Sequence, residues 1–488
     1  MGFTYSPQQK IIFDTLLSEV DNPVNPLITI SAIAGASKTT TLVESARLLN
    51  QQHPNIRINY LVFGTAAAAE AKAAFGTNAT VSTLHKLAHD HTIKAMPMVL
   101  SDVSFFSYRH LPASYKESYH TKVAAIELFN DFCDSPYVSI KKYIKDESIT
   151  IDKVIKKTVM KISNDIVSGK IHCLHSHYLK VFHILLSENE ITLSPSDILL
   201  IDECQDLSPI TAAVIEKFPA KLKVLVGDEH QSIFGFLGTV NAFEIYPKAL
   251  RLQLTRSFRL TPELGERVEA FCTSSFAPSM EFIGANPTDT SIKSTAYITR
   301  TNASLISKMI ALNESGTPYQ LATQAKIQQM FELPLALIRA ISGKDEHIPK
   351  YRHFTREAAV YRRSEHLHNQ MSCLTYIARE NDDNPEISQA IQVILNHSPK
   401  GVIDAYNSAK AHKKTKKGIL LCTAHTSKGK TLDEVTIADD LNDSVEDIIT
   451  KYSYKKDYIP TEKEHQELML YYVAITRAKY SLLNAVFA

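Results

Sequence analysis

Leu27-Ile28-Thr29-Ile30-Ser31 is an apolar, β-branched run of strand length, and Ala34-Gly35-Ala36-Ser37-Lys38-Thr39 follows it closely. The residues from 39 to 49 have helical character, so the small residues between the two segments lie at a strand-to-helix turn. In such a turn, backbone N–H groups hold phosphates, the lysine reaches the β/γ oxygens and the next hydroxyl ligates Mg²⁺. The stretch therefore predicts a parallel α/β domain with a nucleotide-binding loop made of Ala34, Gly35, Ala36, Ser37, Lys38, Thr39 and Thr40.

The loop departs from the usual glycine-rich pattern at two positions. Ser37 precedes the lysine where a glycine is usual, and Ala32 occupies the place of the first glycine. Ser37 therefore carries a Cβ where glycine normally permits unusual backbone dihedral angles. Taken alone, the stretch fits an ordinary strand-turn-helix equally well, because such motif matches carry a false-positive risk.

Two further apolar strands end in polar side chains suited to the same site. Ile198-Leu199-Leu200-Ile201 is followed by Asp202 and Glu203, and the strand from 223 to 226 leads to Gln231. Ligands bind at the carboxyl ends of parallel strands. There Asp202 would hold Mg²⁺, Glu203 would activate a water and Gln231 would sense the γ-phosphate. Any one strand could end in solvated polar residues, but the three together favour a nucleotide-hydrolysing site.

The order of these motifs resembles that of the UvrD/Rep/PcrA group of superfamily 1A DNA helicases. The resemblance covers nearly the whole chain and is strongest to the compact phage-type and F-box-helicase-like members. Besides the three segments above, it rests on residues 5–9, 61–67, 81–85, 231–238, 254–259, 298–302, 423–429 and 472–478.

The resemblance implies an α/β fold with two RecA-like parallel-sheet domains, 1A and 2A, and mainly helical insertions, 1B and 2B. The gaps between motifs place the insertions, because residues 86–190 and 319–417 carry no motif. We therefore expect 1A at residues 1–85 and 191–250, 1B at 86–190, 2A at 251–318 and 418–488, and 2B at 319–417.

The resemblance also assigns roles to residues outside the phosphate loop. Gln9 would read the adenine edge, Phe258 would stack on the adenine, and Arg259 and Arg477 would reach the γ-phosphate from the second lobe. Two positions differ from most relatives, which carry an arginine at Leu237 and a glutamate at Thr431. The residues expected to contact the DNA strand are Phe63, Thr65, His85, Phe236, Arg300, Asn302 and His425.

These roles imply an ATP- and Mg²⁺-dependent DNA helicase or translocase that moves 3′ to 5′ on single-stranded DNA, the polarity coming from the resemblance alone. Its partners would be single-stranded DNA, single-strand/duplex junctions and replication or recombination proteins. No residue that we can name excludes RNA. A non-unwinding translocase that displaces proteins is one alternative. A non-catalytic nucleotide-binding clamp or recruitment module is another, and the intact acid pair and both arginines argue against it.

The composition agrees with these expectations without deciding among them. The chain has 488 residues, 44% of them hydrophobic and 22% charged, and a net charge of +1. Near-neutrality argues weakly against a surface that coats duplex DNA non-specifically. The six cysteines form no C-x-x-C pair, which disfavours a zinc site and a disulfide framework. With no signal or membrane pattern, we expect no membrane association and a monomer or weak oligomer in a bacterial or phage-infected cytoplasm.

The insertions hold two further features. Insertion 1B contains the aromatic residues Phe105, Phe106, Tyr108, Tyr115 and Tyr119, which could line a nucleic-acid path or pack a small core of their own. Insertion 2B ends in a basic run at residues 410–417, which fits phosphate contact or a solvated loop.

Overall fold

A computed structural model of the chain describes residues 5–103, 105–286, 291–322, 327–342, 374–375, 377, 385–411, 418–455 and 458–487. The chain divides into two compact units, Met1–Thr255 and Arg256–Ala488. Each unit has its own parallel sheet and its own hydrophobic core.

The first unit alternates strands and helices, as its apolar runs predict. Its strands are β1 (Leu27–Ala32), β2 (Ile58–Val62), β3 (Thr80–Thr83), β4 (Ser196–Ile201), β5 (Ala220–Gly227) and β6 (Leu250–Leu254). Its helices are α1 (Pro7–Asp21), α2 (Lys38–Gln52), α3 (Thr65–Phe75), α4 (Leu84–His91), α5 (Tyr119–Asp134), α6 (Ile140–Asp146), α7 (Lys153–Val167), α8 (His175–Ser187), α9 (Pro209–Lys217) and α10 (Ala242–Ile245).

The first sheet has the strand order β3-β2-β4-β5-β1-β6, and every pair in it is parallel. The central strands are apolar runs buried on both faces, which is typical of parallel sheets covered by helices. All six strands therefore end at one edge, where the segments that follow β1, β4 and β5 are neighbours. The loop after β1 is the predicted phosphate loop.

Helices α5 to α8 lie between β3 and β4 in the sequence, within the expected insertion 1B. Their apolar faces join one core cluster with residues of the sheet, because Phe129, Ile162 and Phe182 belong to the same buried group as Leu199 and Ile201. The insertion is thus mainly helical and is anchored on the first sheet.

The second unit repeats the plan. Its strands are β7 (Thr295–Thr299), β8 (Tyr319–Leu321), β9 (Ile419–Thr423), β10 (Leu432–Ile437) and β11 (Ala478–Leu483). Its helices are α11 (Pro262–Ser275), α12 (Asn302–Glu314), α13 (Ile327–Ile341), α14 (Pro385–Ala411, kinked at Ser398), α15 (Ala424–Ser427), α16 (Asp439–Tyr454) and α17 (Glu462–Ile475).

The second sheet has the order β11-β10-β7-β9-β8, again with every pair parallel. Strand β8 pairs with β9, so this sheet extends into the range expected for insertion 2B. Much of that range, including residues 343–373 and the basic residues 412–417, lies outside the described residues. Two parallel sheets with helical additions confirm the predicted fold class, whereas the domain boundaries stay predictions.

Candidate functional site

The loop between β1 and α2 has the backbone conformation that a phosphate loop requires. Gly35 has φ 78°, and Ser37 lies in the left-handed region at φ 59°, ψ 41°. The left-handed conformation is sterically unfavourable by about 1–2 kcal/mol for a residue that has a Cβ. Ser37 therefore adopts the left-handed conformation that glycine normally takes at such a position.

Lys38 and Thr39 begin α2, and both contact the acid pair that follows β4. Lys38 Nζ lies 3.5 Å from Glu203 Oε1, and Thr39 Oγ1 donates a hydrogen bond to Asp202 Oδ2 at 2.8 Å. A hydroxyl and a carboxylate side by side are the hard oxygen ligands that Mg²⁺ takes in nucleotide sites. The described residues thus fit the metal that the sequence implies, and Thr39 and Asp202 would be its protein ligands.

The electrostatics of Asp202 reflect its burial. The residue is 7% exposed. Burial raises the pKa of its carboxyl, and the negative charge of Glu203 raises it further, whereas Lys38 and the Thr39 hydroxyl act in the opposite direction. Asp202 also accepts a hydrogen bond from the Tyr60 hydroxyl at 3.1 Å, and that tyrosine is held in β2 beneath the site. A cation at this position would relieve the repulsion between the two carboxylates.

Glu203 is connected to the end of β5 by one buried side chain. Gln205 Nε2 donates to Glu203 Oε2 at 2.6 Å, and Gln205 Oε1 accepts from the backbone N–H of Asp228 at 3.1 Å. Asp228 Oδ2 in turn accepts from Gln231 Nε2 at 2.7 Å. Gln205 therefore ties the predicted water-activating acid to the segment that carries the predicted γ-phosphate sensor.

Gly227, the last residue of β5, makes room for this link. A Cβ built on it would overlap Gln205 Oε1 and would lie 2.9 Å from Cys204 Sγ. The absence of a side chain at this position lets the Gln205 amide reach the β5 end.

The two glutamines at the start of α1 have different partners. Gln9 is 1% exposed. Its Oε1 accepts a hydrogen bond from the Ser6 backbone N–H at 2.9 Å, and its Nε2 donates to Thr41 Oγ1 at 3.0 Å. Gln8 instead makes two hydrogen bonds with Thr255. Its Nε2 donates to Thr255 Oγ1 at 2.6 Å, and its Oε1 accepts from the Thr255 backbone N–H at 3.0 Å. Gln9 thus anchors α1 to α2 beside the phosphate loop, and its contact with adenine stays a prediction.

Four predicted DNA contacts follow strands of the first sheet. Phe63 follows β2 and is 47% exposed, and Thr65 is the exposed first residue of α3. Phe236 lies in a short turn after β5 and is 65% exposed. His85, on α4 after β3, meets His175 and Tyr178 edge-on with ring centroids 5.7 Å apart in both cases. The two phenylalanine rings are therefore open to stacking, and His85, which is also exposed, contacts two rings of 1B.

The other three predicted DNA contacts line one cleft in the second unit. Arg300 and Asn302 follow β7 and His425 follows β9, and all three line a cleft with Glu467 and Lys463 of α17. The Arg300 guanidinium makes two 2.7 Å hydrogen bonds to the Glu467 carboxylate. Its predicted DNA contact would have to compete with that ion pair.

His425 is held in its neutral form. Burial lowers the pKa of His425 to about 4, and the positive charge of Arg300 acts in the same direction. The imidazole would therefore act near neutral pH as a hydrogen-bonding group and not as a cation for phosphate.

Both predicted arginines of the nucleotide site meet at Thr476 within the second unit. Arg259 Nη1 donates to the Thr476 carbonyl at 3.0 Å, and Arg477 Nη2 donates to its hydroxyl at 3.0 Å. Arg477 is 1% exposed and also donates to the Val473 carbonyl at 2.7 Å. Phe258, beside Arg259, is 43% exposed, so its ring is accessible for stacking. The structure thus brings both guanidinium groups into contact with Thr476.

Sequence reasoning missed three residues that hold these groups in place: Tyr60, Gln205 and Glu467. Gln205 had a signal, because it lies only two residues after Glu203 in the segment that follows β4. Tyr60 and Glu467 had none, since each acts on a partner more than a hundred residues away in the sequence.

Comparison with known proteins gives the family. The family described as "UvrD-like helicase C-terminal domain" matches residues 138–486, and the one described as "AAA domain" matches residues 20–237. The first match covers well over half of the chain. The chain belongs to the UvrD-like helicase family. It is a superfamily 1 member, as the motif order predicted.

Two curated relatives of this UvrD-like helicase chain are F-box helicases. "F-box DNA helicase protein 1" of Schizosaccharomyces pombe is 26% identical over 525 residues, which cover 98% of this chain and 57% of that protein. "F-box DNA helicase 1" of Gallus gallus is 26% identical over 264 residues, which cover 49% of this chain and 25% of that protein. The chain thus spans little more than half the length of the first relative. Within the ranges that the structure describes, no helix is long and apolar enough to span a membrane.

Proposed function

We propose that the chain is an ATP-dependent DNA helicase or translocase that moves 3′ to 5′ along single-stranded DNA. The observation that carries the proposal is the convergence of Lys38, Thr39, Asp202 and Glu203 at one edge of the first sheet. Membership in the UvrD-like helicase family and the names of the two relatives support DNA as the substrate. The 3′ to 5′ direction rests on the motif resemblance alone.

In the proposed reaction, different residues of the first unit bind the phosphates, activate the water and hold the metal. The β1–α2 loop and Lys38 would bind the phosphates of ATP, which would draw Lys38 away from its ion pair with Glu203. Glu203 would then orient the attacking water and accept its proton, in the position that Gln205 fixes. Mg²⁺, when bound by Thr39 and Asp202, supplies charge neutralisation for the β- and γ-phosphate oxygens.

The second unit would supply further positive charge at the transferring phosphoryl group. Arg259 and Arg477, which meet at Thr476, would stabilise the transferring phosphoryl group, and Phe258 would stack on the base. Because these residues belong to a different unit from Lys38, hydrolysis would require the two units to close on the nucleotide. Cycles of closure and release are the step that we propose to drive movement along DNA.

The DNA path would use exposed aromatic rings. Phe63 and Phe236 are open to solvent beside the first sheet, and stacking on such rings is worth about 1–3 kcal/mol per base without sequence choice. Arg300, Asn302 and His425 line the cleft of the second unit, where the strand would continue.

Unwinding of tailed duplexes tests the proposal. A duplex with a 3′ single-stranded tail should be separated in the presence of ATP and Mg²⁺, and the same duplex with a 5′ tail should not. Glu203→Gln should bind both substrates and unwind neither. Preference for the 5′ tail would contradict the polarity, and tail-stimulated ATP hydrolysis without strand separation would favour the protein-displacing translocase. ATP binding without any turnover would favour the clamp.

A further inference from the structure

The aromatic residues of insertion 1B fall into two sets with different environments. Phe106 and Tyr115 are 6% and 2% exposed and belong to the core of the first unit. Phe105 and Tyr119 are 65% and 56% exposed. The core therefore accounts for the first two rings but leaves the other two on the surface.

The exposed rings belong to one connected group, which we call the aromatic patch: Phe105, Tyr108, Arg109, His110, Tyr119 and His120. Tyr108 meets Tyr119 edge-on with ring centroids 4.9 Å apart, and Phe105 meets His110 in the same way at 5.9 Å. The Arg109 guanidinium lies 5.8 Å from the centroid of the Tyr108 ring. Because Phe105 and Tyr119 are more than half exposed, the patch presents aromatic surface to solvent beside a cation.

Helix α7 presents a lysine face on the same insertion. Lys153, Lys157 and Lys161 are spaced by four residues and Lys156 is the neighbour of Lys157, so the four lysines lie along one side of the helix. The opposite side, which includes Val159, Ile162 and Ile166, is buried in the core. Lys153, Lys156 and Lys157 are exposed and Lys161 is half-buried.

One lysine of this face contacts the segment that carries the aromatic patch. Lys161 Nζ lies 3.7 Å from the centroid of the Tyr115 ring and donates to the Ser114 carbonyl at 3.4 Å. Ser114 and Tyr115 lie in the chain segment that connects His110 with Tyr119 of the patch. Lys161 therefore holds one end of the lysine face against the segment between the two parts of the patch.

The carboxylates nearest the lysine face are engaged in contacts of their own. Asp152 caps α7 by accepting from Ile155 N at 2.7 Å. Asp165 accepts from the Tyr115 hydroxyl at 2.9 Å and lies 3.5 Å from Lys170 Nζ. Asp102 and Glu117 add negative charge near the patch, with Glu117 half-buried. The charge along α7 itself is positive.

We propose that this surface of 1B is an accessory binding site for single-stranded nucleic acid, with bases stacked on Phe105 and Tyr119 and phosphates on the lysine face. Consecutive lysines four residues apart are separated by roughly 6 Å along the helix, a spacing that suits successive phosphates of an extended strand. Open ring faces beside a row of cations are the two features that bind single strands without sequence preference. The rings of paired bases are stacked inside a duplex, so the aromatic patch selects single strands.

The site is separate from the nucleotide site and from the predicted strand contacts, so equilibrium binding without nucleotide tests it independently of ATP hydrolysis. The probe is a fluorescent oligo-dT of about 20 nucleotides, with a blunt duplex of the same length as the comparison. Phe105→Leu/Tyr119→Leu removes the ring faces and retains apolar side chains. It should weaken oligo-dT binding about 30-fold, because stacking on two rings is lost. Tyr119→Phe keeps the ring and should bind as the wild type does.

The lysine face is tested by Lys153→Gln/Lys157→Gln. Each lysine that contacts a phosphate contributes about 0.7 to the slope of log K against log salt for a single strand, so this variant should lower the slope by about 1.4. Lys248→Gln/Lys400→Gln changes the net charge equally at two exposed positions outside 1B and should leave the slope unchanged. DNA-independent ATPase and thermal melting should be unchanged in all of these variants.

The proposal is overturned if either the ring variant or the lysine variant binds oligo-dT with wild-type affinity and salt slope. It is also overturned if the blunt duplex loses as much affinity as oligo-dT in the ring variant, since the occupant would then be a duplex. If the wild-type protein has no ATPase activity, the proposed function is contradicted. The oligo-dT binding measurement still tests the accessory site in that case.

Discussion

Gln205 Nε2 donates a 2.6 Å hydrogen bond to Glu203 Oε2, and the same amide holds the backbone of Asp228 through its oxygen. Gln205 itself is fully buried. The side chain makes the orientation of Glu203 depend on the position of the β5 end. In the proposed reaction it is a positioning residue that does not itself contact the phosphates.

Gln205→Ala should therefore lower kcat for ATP about 10- to 100-fold, the range found when supporting hydrogen bonds are removed from a site. KM for ATP should change little, because the phosphate loop keeps Lys38 and Thr39. Steady-state ATPase at saturating single-stranded DNA measures both. Gln253→Ala, at an exposed glutamine of β6, is the matched control. Wild-type kcat in Gln205→Ala would show that Glu203 is oriented by other contacts.

Gly227→Ala should disturb the contact between Gln205 and the end of β5. Its Cβ would overlap Gln205 Oε1 and press on Cys204 Sγ, and such overpacking costs about 1–3 kcal/mol. Gly401→Ala is the control, because its Cβ would meet its nearest neighbours at 3.7 Å inside a helix. The control should be neutral or more stable by about 0.5–1 kcal/mol. Urea denaturation compares the two, and equal stabilities would contradict the predicted clash.

Ser37 supplies a test of strain in the phosphate loop. Ser37→Gly should be at least as stable as the wild type, because glycine adopts φ 59° without a steric penalty. Ser37→Val should lose about 1–2 kcal/mol, since a β-branched residue fits the left-handed region poorly. It should also bind ATP more weakly. Thermal melting with and without a non-hydrolysable ATP analogue would show both effects. If the two variants melt alike, the loop is not strained at Ser37.

The stability of the first unit should fall in mild acid. Burial lowers the pKa of His177 and of His183 to about 4, from an ordinary value of 6.5, and the positive charges of Lys180 and Lys217 add to the effect at His183. At pH values between about 4 and 6.5, these histidines bind protons in the unfolded chain but not in the folded chain. The free energy of unfolding must therefore decrease as the pH falls through this window.

The expected loss is roughly 1 kcal/mol per imidazole between pH 7 and pH 5.5. His183→Phe should remove about half of the decrease, since among the described residues His183 Nδ1 has no hydrogen-bond partner to lose. Exposed His120→Gln should keep the full decrease. Urea midpoints at the two pH values measure the difference. A wild-type midpoint that does not fall with pH would show that the two imidazoles are already protonated or are not buried in solution.

The sequence predicts the two parallel sheets, and the sheet edge at which the candidate nucleotide site lies, for a physical reason. Buried parallel strands require continuous apolar runs, so β1, β4 and β5 are visible as such, and their carboxyl ends must share an edge. The residues that follow them, Lys38, Asp202 and Gln231, are therefore placed together by topology alone.

The supporting contacts could not be predicted in the same way. Arg300 was expected to meet DNA, but its guanidinium is paired with Glu467, which lies 167 residues further along the chain. Tyr60 looked like any apolar strand residue, yet its hydroxyl reaches Asp202. Such contacts depend on side-chain geometry between elements, and no local pattern in the sequence encodes it.

In the proposed mechanism, arginines of the second unit complete a nucleotide site that is built on the first unit. ATP hydrolysis by Arg259→Ala with saturating oligo-dT tests it most directly, because Arg259 is half-buried and its removal leaves the first unit intact. We predict that this variant binds an ATP analogue but hydrolyses ATP about 10³-fold more slowly than the wild type, as expected for an arginine supplied across a cleft. Hydrolysis by Arg259→Ala at the wild-type rate, with the same stimulation by oligo-dT, would contradict the claim.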